Sequence, residues 1–224
     1  VALNTERLLS DTALEAMTRH VAPTHLQVTP TLARHLLASA AGRRGLGQLD
    51  HLMIGGEHLP STLAADLLRV VPGRVTNIYG PTETTVWATG QDLAEPLEPI
   101  TVGTPFERVR IDVVDEERQP VAAGDIGELL IGGPMVTAGY LKRPELTPSR
   151  FFMRSGLGDG RWYATGDLAR LLPDGRIELH GRTDHQVKVR GVRVELGEVE
   201  AGLERHPAIA QAVVIPRAGA NGET

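Results

Sequence analysis

The segment NIYGPTETT, residues 77–85, holds the side chains best suited to chemistry. A strand-like run stops at Tyr79, and the Gly-Pro pair after it forces a turn. Thr82 and Glu83 then follow the carboxyl end of the strand, where open α/β sheets bind ligands. Hydroxyls suit phosphate oxygens, and one carboxylate suits Mg²⁺, which takes few protein ligands beside nucleotide phosphates. On its own, the segment is better explained by a plain turn followed by a threonine-rich strand.

Alternating strand and helix patterns in the first 90 residues position this segment. Thr29 can cap a helix, and Pro30 fits the first helical position. Strand–helix–strand order with short links predicts a parallel sheet covered by helices. The predicted strands are residues 24–28, 50–56 and 74–80, and helices are predicted over 11–20 and from residues 30 and 61.

Beyond about residue 100 the sequence is rich in strand patterns. The Pro-Asp-Gly run at 173–175 and the region of Gly191 predict hairpin turns. A helix is predicted over 194–207, ending at Pro207, and a final strand over 208–215. The other predicted strands lie within residues 108–115, 126–133, 167–181 and 187–196.

The composition excludes several classes of protein. The 224 residues, 41% hydrophobic and 23% charged, are typical of one large or two small globular domains and not of a disordered or fibrous chain. A net charge of −5 without a basic patch argues against nucleic acid as a partner. With no cysteine, disulfides and thiolate metal sites are excluded. Because no apolar run approaches a membrane span and no signal-peptide core is present, we expect a cytoplasmic protein with no membrane partner.

Five strings in one order resemble the adenylate-forming superfamily, and most closely the adenylation domains of nonribosomal peptide synthetases. NIYGPTETT is one of them. A single string of this kind is weak, whereas five in family order over about residues 24–215 are specific. The other four are HLMIGGEHLP (51–60), GELLIGGPMVTAGYLKRPELTPSRF (127–151), WYATGDLARLLPDGRIELHGR (162–182) and DHQVKVRGVRVELGEVE (184–200).

The resemblance implies an α/β fold in two parts. Residues 1–183 would form the later half of a large subdomain, with a parallel-sheet core and a β-rich part from about residue 100. Residues 184–224 would begin a small α+β C-terminal subdomain, with the hinge at Asp184. The family's glycine-rich phosphate loop, its amino-group aspartate and its catalytic lysine find no match. We therefore expect an internal piece that shows no ATP–pyrophosphate exchange by itself.

The resemblance also implies the residues that bind ATP. Tyr79 would stack on the adenine, and Gly56 would line the nucleotide site. Asp167 would accept hydrogen bonds from the ribose hydroxyls, a natural role for a group that offers only acceptors. Arg182, a permanent cation, could reach phosphate or ribose. Leu179 departs from the family pattern, which usually has an aromatic residue in contact with the ribose at this position.

The catalytic set that the resemblance implies is Thr82, Glu83 and Arg182. Thr82 would contact phosphate, and Glu83 would help to hold Mg²⁺. In the implied reaction an amino-acid carboxylate and ATP give an aminoacyl-adenylate and pyrophosphate. The aminoacyl group then passes to the phosphopantetheine thiol of a peptidyl carrier protein domain. A condensation domain of the same assembly line would be the next partner.

Six positions match the family's amino-acid pocket. Trp87 is the informative one, because an indole that fills a small pocket leaves little volume for a side chain. The partial set resembles the pattern for glycine, with alanine, one methyl larger, as the nearest rival. The six positions are Gln27, Met53, Gly55, Ile78, Val86 and Trp87.

Two other functions stay open at this point. The first is an acyl-CoA or aryl-acid synthetase of the same superfamily. The second is a non-catalytic interaction fragment, since essential elements are missing from the chain. Metal chemistry at the eight histidines is disfavoured, because they lack metal-ligand spacing.

Overall fold

The computed structural model describes residues 23–94, 99–154, 160–184, 186–189, 192–206, 208–209 and 211–216. These residues form two five-stranded sheets, a two-stranded hairpin and five α-helices. The α/β fold class predicted from the sequence is confirmed. The predicted helix over 11–20, the turn at Gly191 and the helix end at Pro207 lie outside the described residues.

The first sheet contains β1 (His25–Val28), β2 (His51–Gly55), β3 (Arg74–Tyr79), β4 (Thr89–Asp92) and β5 (Thr104–Pro105), in that spatial order. β1, β2 and β3 are parallel, as predicted. β4 and β5 extend the sheet in antiparallel fashion. The carboxyl ends of the three parallel strands therefore meet at one edge of the sheet. Residues 80–85, which include Thr82 and Glu83, follow β3 at this edge.

Three helices connect the parallel strands. They are α1 (Pro30–Ala38), α2 (Ala40–Leu46) and α3 (Ser61–Val70). The Thr29 hydroxyl accepts a hydrogen bond from the Leu32 amide at 3.3 Å, so the predicted cap is confirmed. Leucines of α1 and α3 pack with the alternate apolar residues of β1, β2 and β3 in one core. No helix within the described residues is long and apolar enough to cross a membrane.

The second sheet is antiparallel throughout. It contains β6 (Arg110–Val114), β7 (Ile126–Gly132), β8 (Phe151–Met153), β9 (Arg161–Leu171) and β10 (Ile177–Arg182). The spatial order is β10-β9-β7-β6, with β8 also paired to β9. A short helix, α4 (Thr147–Arg150), leads into β8. β9 and β10 pair around the predicted Pro-Asp-Gly turn.

A second core joins the two sheets. Tyr79 and Ala88 of the first sheet region pack with Leu129 and Ile131 of β7. The segment before β5 also pairs with β10, since the Val102 amide donates to the Ile177 carbonyl at 2.9 Å. The end of β3 is consequently fixed by both sheets.

The last described elements depart from prediction. After β11 (Gln186–Val189) and β12 (Val192–Glu195), helix α5 spans Leu196–Glu204 and is shorter than the predicted 194–207. The predicted strand over 208–215 is wrong, because residues 211–216 pair with no described strand. Their amides bond helix side chains instead: Val214 donates to Glu200 at 2.8 Å, and Ala212 to Glu204 at 3.0 Å. Apolar composition alone predicted a strand, and strands also need a backbone partner.

We predict that Leu52→Ala lowers the free energy of unfolding by about 2–5 kcal/mol, because Leu52 is fully buried in the first core. The measurement is urea unfolding followed by circular dichroism. Leu141→Ala is the matched control, since Leu141 is 88% exposed and the change should stay within about 0.5 kcal/mol. Equal losses in the two variants would contradict this core assignment.

Candidate functional site

A cavity of about 540 Å³ opens beside the carboxyl ends of β2 and β3 and reaches β9 and β10. Gly56, Tyr79, Asp167 and Arg182, four of the five residues predicted to bind the nucleotide, line it. The fifth, Thr82, lies on the exposed turn beyond β3 and is not part of this wall. The lining residues come from both halves of the described chain, and the core that joins the two sheets brings them together.

Asp167 is at the centre of the hydrogen bonds that join the polar residues lining the cavity. One carboxylate oxygen accepts the Tyr79 hydroxyl, and the other accepts Arg182 Nη1 at 2.6 Å. Burial, reinforced by the neighbouring Asp167, raises the pKa of Tyr79 well above its ordinary value. The phenol therefore stays protonated and acts as the donor. This bond fixes the ring at the end of β3 and leaves lone pairs on Asp167 for a further donor.

Arg182 joins Asp167 to the predicted hinge residue Asp184. Its Nε and Nη2 donate to the two Asp184 oxygens at 2.7 and 2.9 Å. Nη2 also donates to the Thr165 carbonyl at 3.1 Å and to the Gln186 amide oxygen at 2.7 Å. Although burial opposes the charge, the two carboxylates raise the pKa of Arg182 above its ordinary value. The guanidinium thus ties β9 and β10 to the first residue of β11.

A second arginine holds the other side of Asp184. Arg150 Nη2 donates to Asp184 Oδ2 at 2.9 Å, and Arg150 also pairs with Glu128 at 3.7 Å. Gly166, with φ +75°, lies at the centre of this cluster. A Cβ there would come within 2.8 Å of Arg182 Nη2 and 2.9 Å of Asp184 Oδ2. Glycine suits this position because the backbone is left-handed, and a side chain here would also move the ends of Arg182 and Asp184.

A β-bulge shapes the neighbouring wall. The pairing of β10 with β9 shifts between Leu179 and Gly181, and Gly181 has φ +110°. Both residues line the cavity, which is a common use of bulges beside binding sites. Leu179, in place of the family's usual aromatic, therefore offers apolar contact at the predicted ribose position. Ile100 and Val102 add apolar surface.

Several residues of the cavity wall were not singled out from the sequence. Asn77 had a signal, because it precedes Tyr79 by two positions on the same strand and so shares its face. Its side-chain nitrogen donates to the Thr101 carbonyl at 2.7 Å, which leaves the amide oxygen as an acceptor. Most of the others come from loops and from α1, where no periodicity marks them. Among them are Thr31, Arg34, Glu57, His58, Leu59, Ile100, Thr101 and Val102.

The turn after β3 is strained. Thr82–Thr84 form one turn of 3₁₀ helix, so the alternative of a threonine-rich strand directly after the turn is wrong. Thr85 and Val86 follow with φ of 60° and 76°, a left-handed conformation that β-branched residues rarely adopt. Such residues cost on the order of 1–3 kcal/mol each and persist where surrounding contacts impose them.

Glu83, the predicted metal ligand, is 7% exposed. Its Oε1 accepts the Tyr140 hydroxyl at 3.0 Å, and its carbonyl accepts the Thr137 amide at 2.9 Å. Across the described residues, no group of three or more histidine, aspartate or glutamate side chains is placed to hold a metal. One fixed carboxylate beside threonine hydroxyls fits an ion held mainly by its substrate, as Mg²⁺ is with nucleotides.

A second cavity of about 610 Å³ lies on the face of the first sheet opposite its helices. Three of the six predicted pocket residues, Met53, Ile78 and Trp87, line it. Ile78 lines both cavities and so separates them. Gln27, Gly55 and Val86 are not among the lining residues, although strand register places Gln27 beside Met53 and Gly55 beside Ile78. A Cβ at Gly55 would overlap Ile78, so glycine there permits this close packing.

The polar end of the second cavity is built around His51. Its Nε2 lies 2.7 Å from the Thr76 hydroxyl, which donates to Asp92 at 2.5 Å. Burial first, then the nearby Arg74 and His25, lowers the pKa of His51. Neutral His51 is thus held in a series of side-chain hydrogen bonds across β2, β3 and β4.

An open α/β sheet with a cavity beyond its parallel strands is an arrangement in which such proteins bind nucleotides and other small molecules. Comparison with known families matches residues 1–141 to the AMP-binding enzymes. This match covers more than half of the chain, which therefore belongs to the AMP-binding enzyme family.

Relatives refine the class. The chain is 43% identical over 201 residues to a dimodular nonribosomal peptide synthase of Bacillus subtilis (strain 168), covering 88% of this chain and 8% of that protein. It is 47% identical over 164 residues to novobiocin biosynthesis protein H of Streptomyces niveus, covering 72% of this chain and 27% of that protein. The chain thus spans a minor part of the length of these relatives.

Solved structures agree. PA1221, a synthetase protein with adenylation and carrier domains, matches with a TM-score of 0.87 and 28% identity over 96% of this chain and 38% of that one. The adenylation domain AlmE of Vibrio cholerae, solved with glycyl-adenosine-5′-phosphate, matches with a TM-score of 0.80 and 28% identity over 93% and 41%. The chain corresponds to part of an adenylation domain of the nonribosomal peptide synthetase type.

We predict that Asp184 stabilises the fold in a pH-dependent way. Burial alone would raise its pKa, but hydrogen bonds from Arg182 outweigh burial and hold the pKa below the ordinary 3.8. A depressed carboxyl pKa gives stability that is complete above the unfolded-state pKa and is lost as the pH falls through the folded-state pKa. The difference in unfolding free energy between wild type and Asp184→Asn should therefore be largest near neutrality and shrink below pH 3.8.

Urea unfolding between about pH 6 and pH 3 makes this measurement. Asp66→Asn is the control, because Asp66 pairs with Arg69 on the open surface and should change stability by less than about 1 kcal/mol at any pH. A difference for Asp184→Asn that stays constant with pH would contradict the network.

Proposed function

We propose that this chain supplies the adenosine-binding and amino-acid-selecting part of an enzyme that activates glycine with ATP and transfers it to a carrier domain. The observation that carries the proposal is the convergence of Tyr79, Asp167 and Arg182 on one cavity of nucleotide size. The alternative of a non-catalytic fragment offers no reason for these groups to converge.

The adenosine would occupy the 540 Å³ cavity. Its ribose hydroxyls would donate to Asp167, whose two oxygens are already oriented by Tyr79 and Arg182. The ring of Tyr79 and the apolar side chains of Ile100 and Val102 would contact the adenine. The amide oxygen of Asn77 is placed to accept from an amine at that end. Gly56, without a side chain, would let the base approach the backbone after β2.

The phosphates would then extend toward the strained turn. The exposed Thr82 hydroxyl is available to a phosphate oxygen, and Glu83 would hold Mg²⁺ through a carboxylate fixed by Tyr140. When bound, Mg²⁺ neutralises developing phosphate charge. Arg182 would add a permanent positive charge on the ribose side.

The amino acid would lie in the second cavity with Ile78 between its side-chain space and the nucleotide. Its carboxylate oxygen would attack the α-phosphorus of ATP, and the bond from that phosphorus to the bridging oxygen would break with release of pyrophosphate. The protein contributes mainly by holding the two reactants in line. The products are the aminoacyl-adenylate and pyrophosphate.

The second step would use the segment that follows β10. Asp184, held by Arg182 and Arg150, is the proposed hinge between residues 1–183 and 184–224. Rotation there would exchange these bonds for others and admit a phosphopantetheine thiol of a peptidyl carrier protein domain. The thiol sulfur attacks the acyl carbon, AMP leaves, and the thiol proton is released. A condensation domain would accept the product.

Glycine is the proposed substrate because the large indole of Trp87 lines the second cavity together with Ile78 and Met53. A pocket selects glycine by excluding larger side chains. The structure of AlmE with glycyl-adenosine-5′-phosphate supports the proposal, because that intermediate is bound in one relative of the same fold.

We predict that Asp167→Asn weakens AMP binding about tenfold or more. The substitution removes the charge that orients Arg182 and one strong acceptor for a ribose hydroxyl. Calorimetric titration with AMP is the measurement. Asp174→Asn, in the exposed hairpin turn, is the control and should bind AMP within about twofold of wild type.

We predict that the whole enzyme that contains this chain catalyses ATP–pyrophosphate exchange that depends on an amino acid. Exchange driven by aryl or fatty acids and not by amino acids would favour the acyl-CoA or aryl-acid synthetase.

We predict that shrinking Trp87 relaxes the choice of amino acid. The kcat/KM for glycine should exceed that for alanine by about 10- to 200-fold in wild type, the value of one excluded methyl group. Trp87→Phe should reduce this ratio, and Trp87→Ala should reduce it further. Exchange assays over an amino-acid panel make the comparison. A ratio that is unchanged in Trp87→Ala would remove Trp87 from the pocket.

A further inference from the structure

We propose that Tyr140 is a positioning residue for the metal-binding carboxylate of Glu83, and that residues 133–140, here called the clamp segment, hold the strained turn after β3. This inference rests on the proposed role of Glu83. The two residues are 57 positions apart in the chain, and the Tyr140 hydroxyl donates to Glu83 Oε1 at 3.0 Å. The hydrogen bond fixes the direction in which the carboxylate faces.

The clamp segment contacts the turn at two further points. The Thr137 amide donates to the Glu83 carbonyl at 2.9 Å, and the Thr85 hydroxyl donates to the Met135 carbonyl at 2.7 Å. Backbone and side chain of Glu83 are thus held by the same segment. Thr85 and Val86, which have left-handed backbone conformations, follow Glu83 closely in the chain. The hydrogen bonds from the clamp segment therefore lie next to the strained residues and can hold them in this conformation.

The clamp segment is itself anchored to the second sheet. The Gly133 amide donates to the Arg161 carbonyl at 3.2 Å, and Arg161 Nη1 donates to the Thr137 carbonyl at 2.9 Å. Val136 is buried in an aromatic cluster with Phe151 and Tyr163. The Tyr140 ring meets Phe151 edge-on at 5.2 Å. The clamp segment therefore connects the turn after β3, in the first sheet, to β8 and β9 of the second sheet.

The chemistry favours an orienting role for Tyr140. A carboxylate accepts at two oxygens, and a phenol that holds one of them sets how the group faces an incoming cation. Aligning the carboxylate before the ion arrives removes an ordering cost from binding. The effect should appear in metal affinity and not in adenosine affinity, because Tyr140 does not line the nucleotide cavity.

The test compares Tyr140→Phe with Glu83→Gln in the intact protein. Binding of Mn²⁺ in the presence of ATP is measured by electron paramagnetic resonance, and AMP binding without metal by calorimetry. We expect Tyr140→Phe to raise the Mn²⁺ dissociation constant about tenfold, as for a hydrogen bond to a charged group, and to leave AMP affinity within about twofold. Tyr163→Phe removes a hydroxyl from the same aromatic cluster and should leave Mn²⁺ affinity within about twofold.

The outcomes separate the inference from the proposed function. If Glu83→Gln weakens Mn²⁺ binding and Tyr140→Phe does not, or only lowers thermal stability, Tyr140 has no positioning role and the metal role of Glu83 stands. If Glu83→Gln has no effect, both fall. Should Tyr140→Phe fail to fold, Thr85→Val decides, since it deletes the bond to Met135 and keeps a β-branched side chain. An Mn²⁺ dissociation constant for Thr85→Val within about twofold of wild type would overturn the clamp.

Discussion

The rest of the site depends on the hydrogen bonds that the Arg182 guanidinium makes with two carboxylates. The guanidinium donates to Asp167 at 2.6 Å and to both oxygens of Asp184 at 2.7 and 2.9 Å. Because Arg182 donates to both carboxylates, removing either one takes a charge-assisted hydrogen bond from a partly buried guanidinium. The carboxylate proposed to bind ribose and the proposed hinge therefore share one partner, and a change at either is felt at the other.

This sharing links the two proposed steps of the reaction. In the described conformation Arg182 and Arg150 together hold Asp184 against β9 and β10. Movement about Asp184 would break these bonds, which sets a barrier between the state that contacts the nucleotide and any rotated state. Gly166 makes the cluster possible, since a side chain there would displace Arg182 or Asp184.

The sequence patterns correctly predicted the features that are determined by neighbouring residues in the chain. The parallel strands, the Thr29 cap and the Pro-Asp-Gly hairpin follow from periodicity and turn chemistry within a few residues, and all are confirmed. The motif resemblance predicted that Gly56, Tyr79, Asp167 and Arg182 belong together, and the structure places them around one cavity. Contacts between distant segments could not be predicted in this way. The bond from Tyr140 to Glu83 joins loops of two sheets, and the strain at Val86 appears only once φ is known. The segment after α5 was expected to be a strand because of its apolar residues, whereas glutamates of the helix satisfy two of its amides.

The wall formed by Tyr79, Asp167 and Arg182 is proposed to receive the adenosine of ATP, and every other functional role depends on that placement. The most direct measurement is a crystal structure of the intact protein with ATP and glycine. We expect the ribose hydroxyls within about 3.2 Å of the Asp167 oxygens and the adenine against Tyr79. A nucleotide bound elsewhere, with this cavity left empty, would contradict the proposal.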